Sequence, residues 1–197
     1  MHYGIYRNIR EGAWRCLEDF KVASLPVDVL QIARRSGVKT IKNSQADLLN
    51  DGETGRAMFD GELWVIVYDD KNSTAVARYT LAHELGHIFL GHDLTYENFK
   101  NVKEFRHTVK SEEQADSFAI RLLCPACVLK GLDIHTAEEI EKYCGVESRI
   151  ARQRMKRMEL LYKRNKFFTS ELEERVYENF HMFIQDELFK RENSKTK

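Results

Sequence analysis

Two prolines in 197 residues leave few fixed interruptions, so the chain reads as long helices joined by short connections. Long apolar runs are missing too: no stretch approaches the roughly eighteen apolar residues that a membrane span requires. The opening segment, MHYGIYRNIREGAWRCLEDF, carries charges throughout, where a secretory signal needs an uninterrupted apolar centre. Together these absences predict a cytoplasmic protein. An excess of one charge is also lacking, because 31 Lys and Arg balance 31 Asp and Glu. That excludes a histone-like polycation as the description of the whole chain. Of four cysteines, only Cys124 and Cys127 form a Cys-x-x-Cys, while Cys16 and Cys144 stand alone. No second pair and no βαβ pattern accompany that motif, so a zinc ribbon or a thioredoxin-type redox site is not supported, and reduced thiols are expected.

What is present is the composition of a globular chain, 43% hydrophobic and 31% charged in 23.1 kDa, which is one core plus an appendage by size. Ile5, Ile9, Trp14, Leu17 and Phe20 have the spacing of an amphipathic helix with Gly12 as a break. SLPVDVLQIARRSG predicts a second helix capped by Ser24, with Pro26 in its first turn and Gly37 closing it. Val38 to Ile41 is a short strand. In RAMFDGELWVIVYDD two extended stretches flank Asp60-Gly61, a dipeptide suited to a tight hairpin turn, and Leu63 to Tyr68 is apolar enough for a strand buried on both faces. Helical periodicity returns from Ser73 or Thr74 to about Leu90, with Gly91 as a stop, and again over Ser111 to Leu123. From Thr136 onward the chain reads as helical in three pieces, divided near Gly145 and near Phe167 to Ser170.

The chemistry lies in His83-Glu84-Leu85-Gly86-His87. Residues four apart on a helix differ by about 40° in direction, so the two imidazoles share a face and can share a metal ion. Neutral imidazole is a preferred ligand of zinc, and Glu84 beside them is suited to take a proton from activated water. The apolar residues Leu81, Ala82, Leu85, Ile88 and Phe89 give the same helix a core face. A catalytic zinc needs a third protein ligand. A metzincin continuation would require glycine at 90 and histidine at 93, but the chain has Leu90 and Asp93. His92, nine residues past His83, points about 180° away on a continued helix, unless the chain turns at Gly91. The better source is SEEQADSFAIRLL, where Glu112 and Asp116 share a face. One can ligate while the other accepts the hydrogen bond from a ligating histidine's second nitrogen. Glu113, about 100° away, is the competing ligand and reads more simply as a solvated side chain. Ala115 and Ala119 are small enough to let this helix approach the first closely. Tyr96, Arg106, His107 and His92 are the candidates for stabilising an oxyanion, and spacing selects none of them.

TLAHELGHIFLGH followed by EEQADSFAIRLLCP resembles the ImmA/IrrE family of zinc metallopeptidases, over about Val27 to Met158. The resemblance implies His83, His87 and Glu112 as zinc ligands, Glu84 as general base and Asp116 as the carboxylate behind a ligand, an arrangement similar to thermolysin-like gluzincins. It further implies a selective protease that cleaves a helix-turn-helix repressor of a mobile element or stress response. Two positions depart from the family's habit: Cys124 stands where methionine is frequent, and Gln114 where a second acid is frequent. The fold expected is α+β, a mostly helical zincin-like peptidase core with a small sheet or hairpin over residues 1–131, then a helical C-terminal region over 132–197.

That C-terminal region contains a helix-turn-helix-like segment, 136–160, with Ile140, Val146, Ile150 and Met158 at core spacing and Gly145 at the joint. Residues 149–166 hold eight basic side chains and one acid, so the zero net charge hides a strongly basic helix. A DNA-reading helix looks like this, and so does a solvated face or a surface that docks an acidic protein. An amphipathic helix over 171–190 lines up Leu172, Val176, Phe180, Phe183, Ile184 and Leu188. The partner expected is a protein substrate, with direct DNA contact through 149–166 as the alternative. A non-proteolytic DNA- or protein-binding regulator with a structural or inactive metal site is the competing function.

Overall fold

A computed structural model describes residues 4–5, 8–96 and 103–195. The fold is α+β and mostly helical, with one five-stranded mixed sheet. The chain divides into two units. One comprises Met1–Ala13 and Asp28–Ala119, the other Trp14–Val27 and Ile120–Lys197.

The first unit carries the sheet, in the order β1 (Lys39–Lys42), β3 (Trp64–Tyr68), β2 (Gly55–Phe59), β5 (Lys103–Phe105), β4 (Leu94–Tyr96). β1 runs parallel to β3 and every other pairing is antiparallel. Ile66 and Val67 of β3 are fully buried, as expected for an apolar run in the middle of a sheet. Helices α2 (Val29–Arg35) and α4 (Thr74–Leu90) pack together, and α4 also lies against β2 and β3. The approach of α4 to β2 needs a glycine, because a Cβ at Gly55 would run into Cγ2 of Thr80. Between β1 and β2 lies a single short turn of helix, α3 (Asn43–Ala46), and α5 (Val109–Leu123) follows the sheet.

Several local expectations give way to the structure. Helix α1 (Ile9–Asp19) runs through Gly12 without a break. Its start is set by Asn8, whose side chain accepts from the Arg10 backbone N–H at 2.9 Å. α2 begins at Val29, not near Ser24, because the Asp28 carboxylate accepts from the Gln31 N–H at 2.9 Å and so caps the first turn. The β2–β3 connection is four residues, Asp60 to Leu63, with the Asp60 side chain accepting from the N–H groups of both Glu62 and Leu63 at 2.9 Å. Asp-Gly therefore sits in an Asx-type loop with Gly61 at φ 105°. β3 lies between β1 and β2 in the sheet.

The second unit is helical. α6 (Ala126–Gly131) packs on α9 (Glu171–Asn179), where Gly131 leaves room for Tyr177 and Ile184. α7 (Ala137–Cys144) and α8 (Ser148–Arg164) form the expected helix-turn-helix-like pair, joined at the left-handed Gly145 (φ 58°). A reciprocal cap of Thr136 and Glu139 fixes the start of α7. The helix expected over 171–190 is instead two, α9 and α10 (His181–Lys195), broken at Phe180. Phe180 is fully buried, and its N–H bonds to the carbonyls of Val176 and Tyr177 close α9. All four cysteines are free and buried, which removes the Cys-x-x-Cys from the exposed thiol chemistry its spacing suggests. No helix among the described residues is long and apolar enough to cross a membrane.

Candidate metal centre

Helix α4 holds the motif rigidly. Ser73 caps it by accepting from the Val76 N–H at 3.3 Å, and Leu81, Ala82, Leu85, Ile88 and Phe89 are buried along it. At its other end Gly91 adopts φ 70°, and the Gly91 and His92 N–H groups return to the carbonyls of Ile88 and His87 at 3.3 and 3.2 Å. This is a Schellman closure, which needs a residue that tolerates the left-handed region. Its consequence is that the chain does turn, and His92 folds back onto His87.

Helix α5 approaches α4 through the glycine of the motif. A Cβ on Gly86 would stand 3.3 Å from Cα and the carbonyl oxygen of Ala115 and 3.2 Å from the ring of Phe118. At this spacing Glu112 and Asp116 reach the histidines. His83 Nδ1 lies 2.9 Å from Asp116 Oδ1, and His83 Nε2 lies 3.2 Å from Glu112 Oε2. The two Nε2 atoms of His83 and His87 are 3.0 Å apart, with Glu112 Oε1 3.4 Å from that of His87. One ligand atom from each of His83, His87 and Glu112 falls within 4.8 Å of the others, a group able to hold a metal ion.

The proton bookkeeping supports that fit. A carboxylate only accepts, so His83 donates Nδ1–H to Asp116, and in the neutral ring this leaves Nε2 without hydrogen and turned inward. Burial opposes charge on His83, yet its bond to Asp116 and the nearby carboxylates of Glu84, Asp116 and Glu112 raise its pKa. For His87 burial and the surrounding histidines win, pushing its pKa down to about 2. Two nitrogens and two carboxylate oxygens thus converge with their lone pairs on a small volume, an arrangement that calls for a cation at its centre.

Glu84, next to His83 on α4, is 5% exposed. Its Oε2 accepts the Ala57 N–H of β2 at 3.0 Å. Burial pushes its pKa up to about 6, against the lowering effect of His83, His107 and the Ala57 bond. A carboxylate held near neutrality is suited to gaining and losing a proton.

Residues 33–156, nearly two thirds of the chain, match the IrrE N-terminal-like domain, the Peptidase M78 family. The chain belongs to this family. It is a family of metallopeptidases, and both helices of the metal centre lie inside the matched span. No curated protein matches the chain.

Within this M78 domain the residues singled out from sequence separate clearly. His83, His87, Glu112 and Asp116 converge, with Glu84 beside them against β2. Glu113 is exposed and outside the group. Of the four oxyanion candidates, His107 donates Nδ1–H to Glu112 Oε1 at 2.7 Å, and its ring centre is 5.6 Å from that of His87. It is 58% exposed, against 0% for His87, so it stands on the solvent side of the cluster. His92 lies behind His87, at 2.9 Å between their Nδ1 atoms. Arg106 is exposed, and the side chain of Tyr96 lies outside the described residues.

Three contributions escaped the sequence. Tyr79 donates its hydroxyl to Asp116 Oδ1 at 2.7 Å, and its position four residues before His83 on α4 was the available signal. Gln114 lies 3.1 Å from His92 Nε2, and Ala57 contributes through its backbone alone. Nothing in the side-chain pattern could have announced those two.

Proposed function

We propose that this M78 domain is a zinc-dependent endopeptidase that works in the cytoplasm and cleaves a helix-turn-helix transcriptional repressor. Two histidines and a glutamate are a donor set that catalytic zinc sites use, leaving room for water and substrate. The observation that carries the reading is Glu84, because a purely structural metal site is closed by its ligands and has no use for a buried carboxylate beside them. When bound, the metal supplies the Lewis acidity that activates water and polarises the scissile carbonyl. Glu84 accepts the proton that the attacking water loses and delivers it to the leaving amine, so a C–O bond forms as the C–N bond breaks. Asp116, steadied by Tyr79, holds His83 in its ligating tautomer. His107, on the open side, is the oxyanion donor of this scheme.

An extended substrate fits β2 better than β3. β5 pairs only with Met58 and Phe59, so among the described residues the outer edge of Gly55–Ala57 is free of a strand. Ala57 sends its N–H to Glu84 there, which puts that edge within reach of the chemistry by strand addition.

The alternative, a regulator acting by binding alone, rests on α8. Burial removes Arg154 from its basic set and leaves Arg149, Arg152, Lys156, Arg157, Lys163, Arg164 and Lys166 exposed, a surface for DNA or an acidic protein. The zinc-loaded wild type and Glu84→Gln, each incubated with candidate helix-turn-helix repressors, separate the readings. Cleavage by the wild type alone is expected. An intact repressor with both, together with salt-sensitive DNA binding by both, would reverse the ranking.

A further inference from the structure

His87 is the deepest of the metal-facing side chains, fully buried, and an imidazole can ligate through Nε2 only if its one proton sits on Nδ1. For His83 that proton is secured by a carboxylate. The Nδ1 of His87 faces another imidazole, Nδ1 of His92, at 2.9 Å. Two imidazoles paired in this way are ambiguous, since either can donate.

The ambiguity is resolved one step further out. His92 Nε2 lies 3.1 Å from Gln114 Oε1 on α5. An amide oxygen accepts and cannot donate, so it draws the His92 proton to Nε2 and leaves His92 Nδ1 bare. A bare Nδ1 must receive, and the proton it receives is that of His87 Nδ1. His87 Nε2 is then stripped of hydrogen and turned toward His83 Nε2, 3.0 Å away. We infer that Gln114, acting through His92, sets the tautomer of His87 and so makes it a metal ligand.

Placement of the relay depends on two features already described. The left-handed Gly91 reverses the chain so that His92 returns to its own helix, and the close α4–α5 contact at Gly86 brings Gln114, two residues beyond Glu112, to the far side of the same cluster. Gln114 and His92 are therefore positioning residues, and neither faces the substrate side. The inference presupposes a metal at His83, His87 and Glu112, but the tautomer can be read without one.

Long-range proton–nitrogen correlation spectra of the metal-free full chain report which ring nitrogen of each histidine carries hydrogen. The wild type is expected to show His87 protonated on Nδ1 and His92 on Nε2. Gln114→Met keeps the length and removes the acceptor. In that variant His87 should shift toward the Nε2–H form, while zinc affinity, measured by competition with a chelator, falls about 10- to 100-fold. A merely structural role for Gln114 would change the metal-free melting temperature without moving the proton. Wild-type His87 found with its proton on Nε2 would overturn the inference without any variant, and so would Gln114→Met with both tautomer and affinity unchanged. A wild type that has the expected tautomers and yet binds no zinc would refute the metal centre while supporting the relay.

Discussion

Glu84→Gln should make the metal-free protein more stable at neutral pH while destroying its activity. The Glu84 carboxyl is 5% exposed and receives one backbone hydrogen bond, from Ala57, and burial pushes its pKa from 4.5 up to about 6. The folded state therefore binds this proton more tightly than the unfolded chain does. Its contribution to stability is fully present below about pH 4.5 and is lost as the pH rises through about 6. Above that the deficit is constant, and at about 1.36 kcal/mol per pH unit it amounts to about 2 kcal/mol. Glutamine keeps an oxygen for the Ala57 N–H and has no charge to desolvate. Urea unfolding of the chelator-treated proteins should show the variant about 2 kcal/mol more stable at pH 7.5, which is roughly 4–8 °C in melting temperature for a chain of this size. At pH 4.5 the gain should shrink to a few tenths of a kcal/mol. Loss of the general base should cost about 10²- to 10⁴-fold in peptide hydrolysis by the zinc-loaded enzyme. A variant no more stable than the wild type at pH 7.5, or equally stabilised at both pH values, would refute this account of Glu84.

Two other substitutions probe the packing that supports the site and the helical unit. Gly86→Ala gains about 1 kcal/mol of helix propensity but drives a methyl toward the backbone of Ala115, which has no rotamer to move; with overpacking costing about 1–3 kcal/mol, a net loss of up to about 2 kcal/mol is expected in urea unfolding, together with weaker zinc binding as Glu112 is pushed away. In the second unit, Arg154 is 4% exposed, its Nε has no hydrogen-bond partner among the described residues, and burial lowers its pKa to about 10. Arg154→Met should therefore be neutral or stabilising by about 1–4 kcal/mol, and a clear destabilisation in thermal melts would mean that the guanidinium is better satisfied than its surroundings indicate.

The sequence showed most where one helix suffices to relate residues. His83 and His87 share a face because they are four apart, and the same holds for Glu112 and Asp116. Gly91 and Gly145 announced the ends of α4 and α7 because a helix commonly closes through a left-handed residue. Elsewhere local signals misled for equally local reasons. Ser24 and Pro26 look like a helix start, but the Asp28 carboxylate provides a better cap four residues later. The apolar stripe over 171–190 continues across Phe180, so periodicity alone does not register a break there.

The amino-acid sequence by itself determined the family, the helical register of the metal-facing residues and the presence of a basic helix, since each is a matter of residue type at short spacing. Only the tertiary structure decided how far α5 stands from α4, and hence that Glu112 rather than Glu113 meets the histidines. It also decided that His92 turns back onto His87, that β2 rather than β3 lies beside Glu84, and that Arg154 leaves the basic face for the interior. These depend on contacts between segments far apart in the chain, formed because buried surfaces must pack without voids and buried polar groups must find partners. Spacing along one helix carries no information about either.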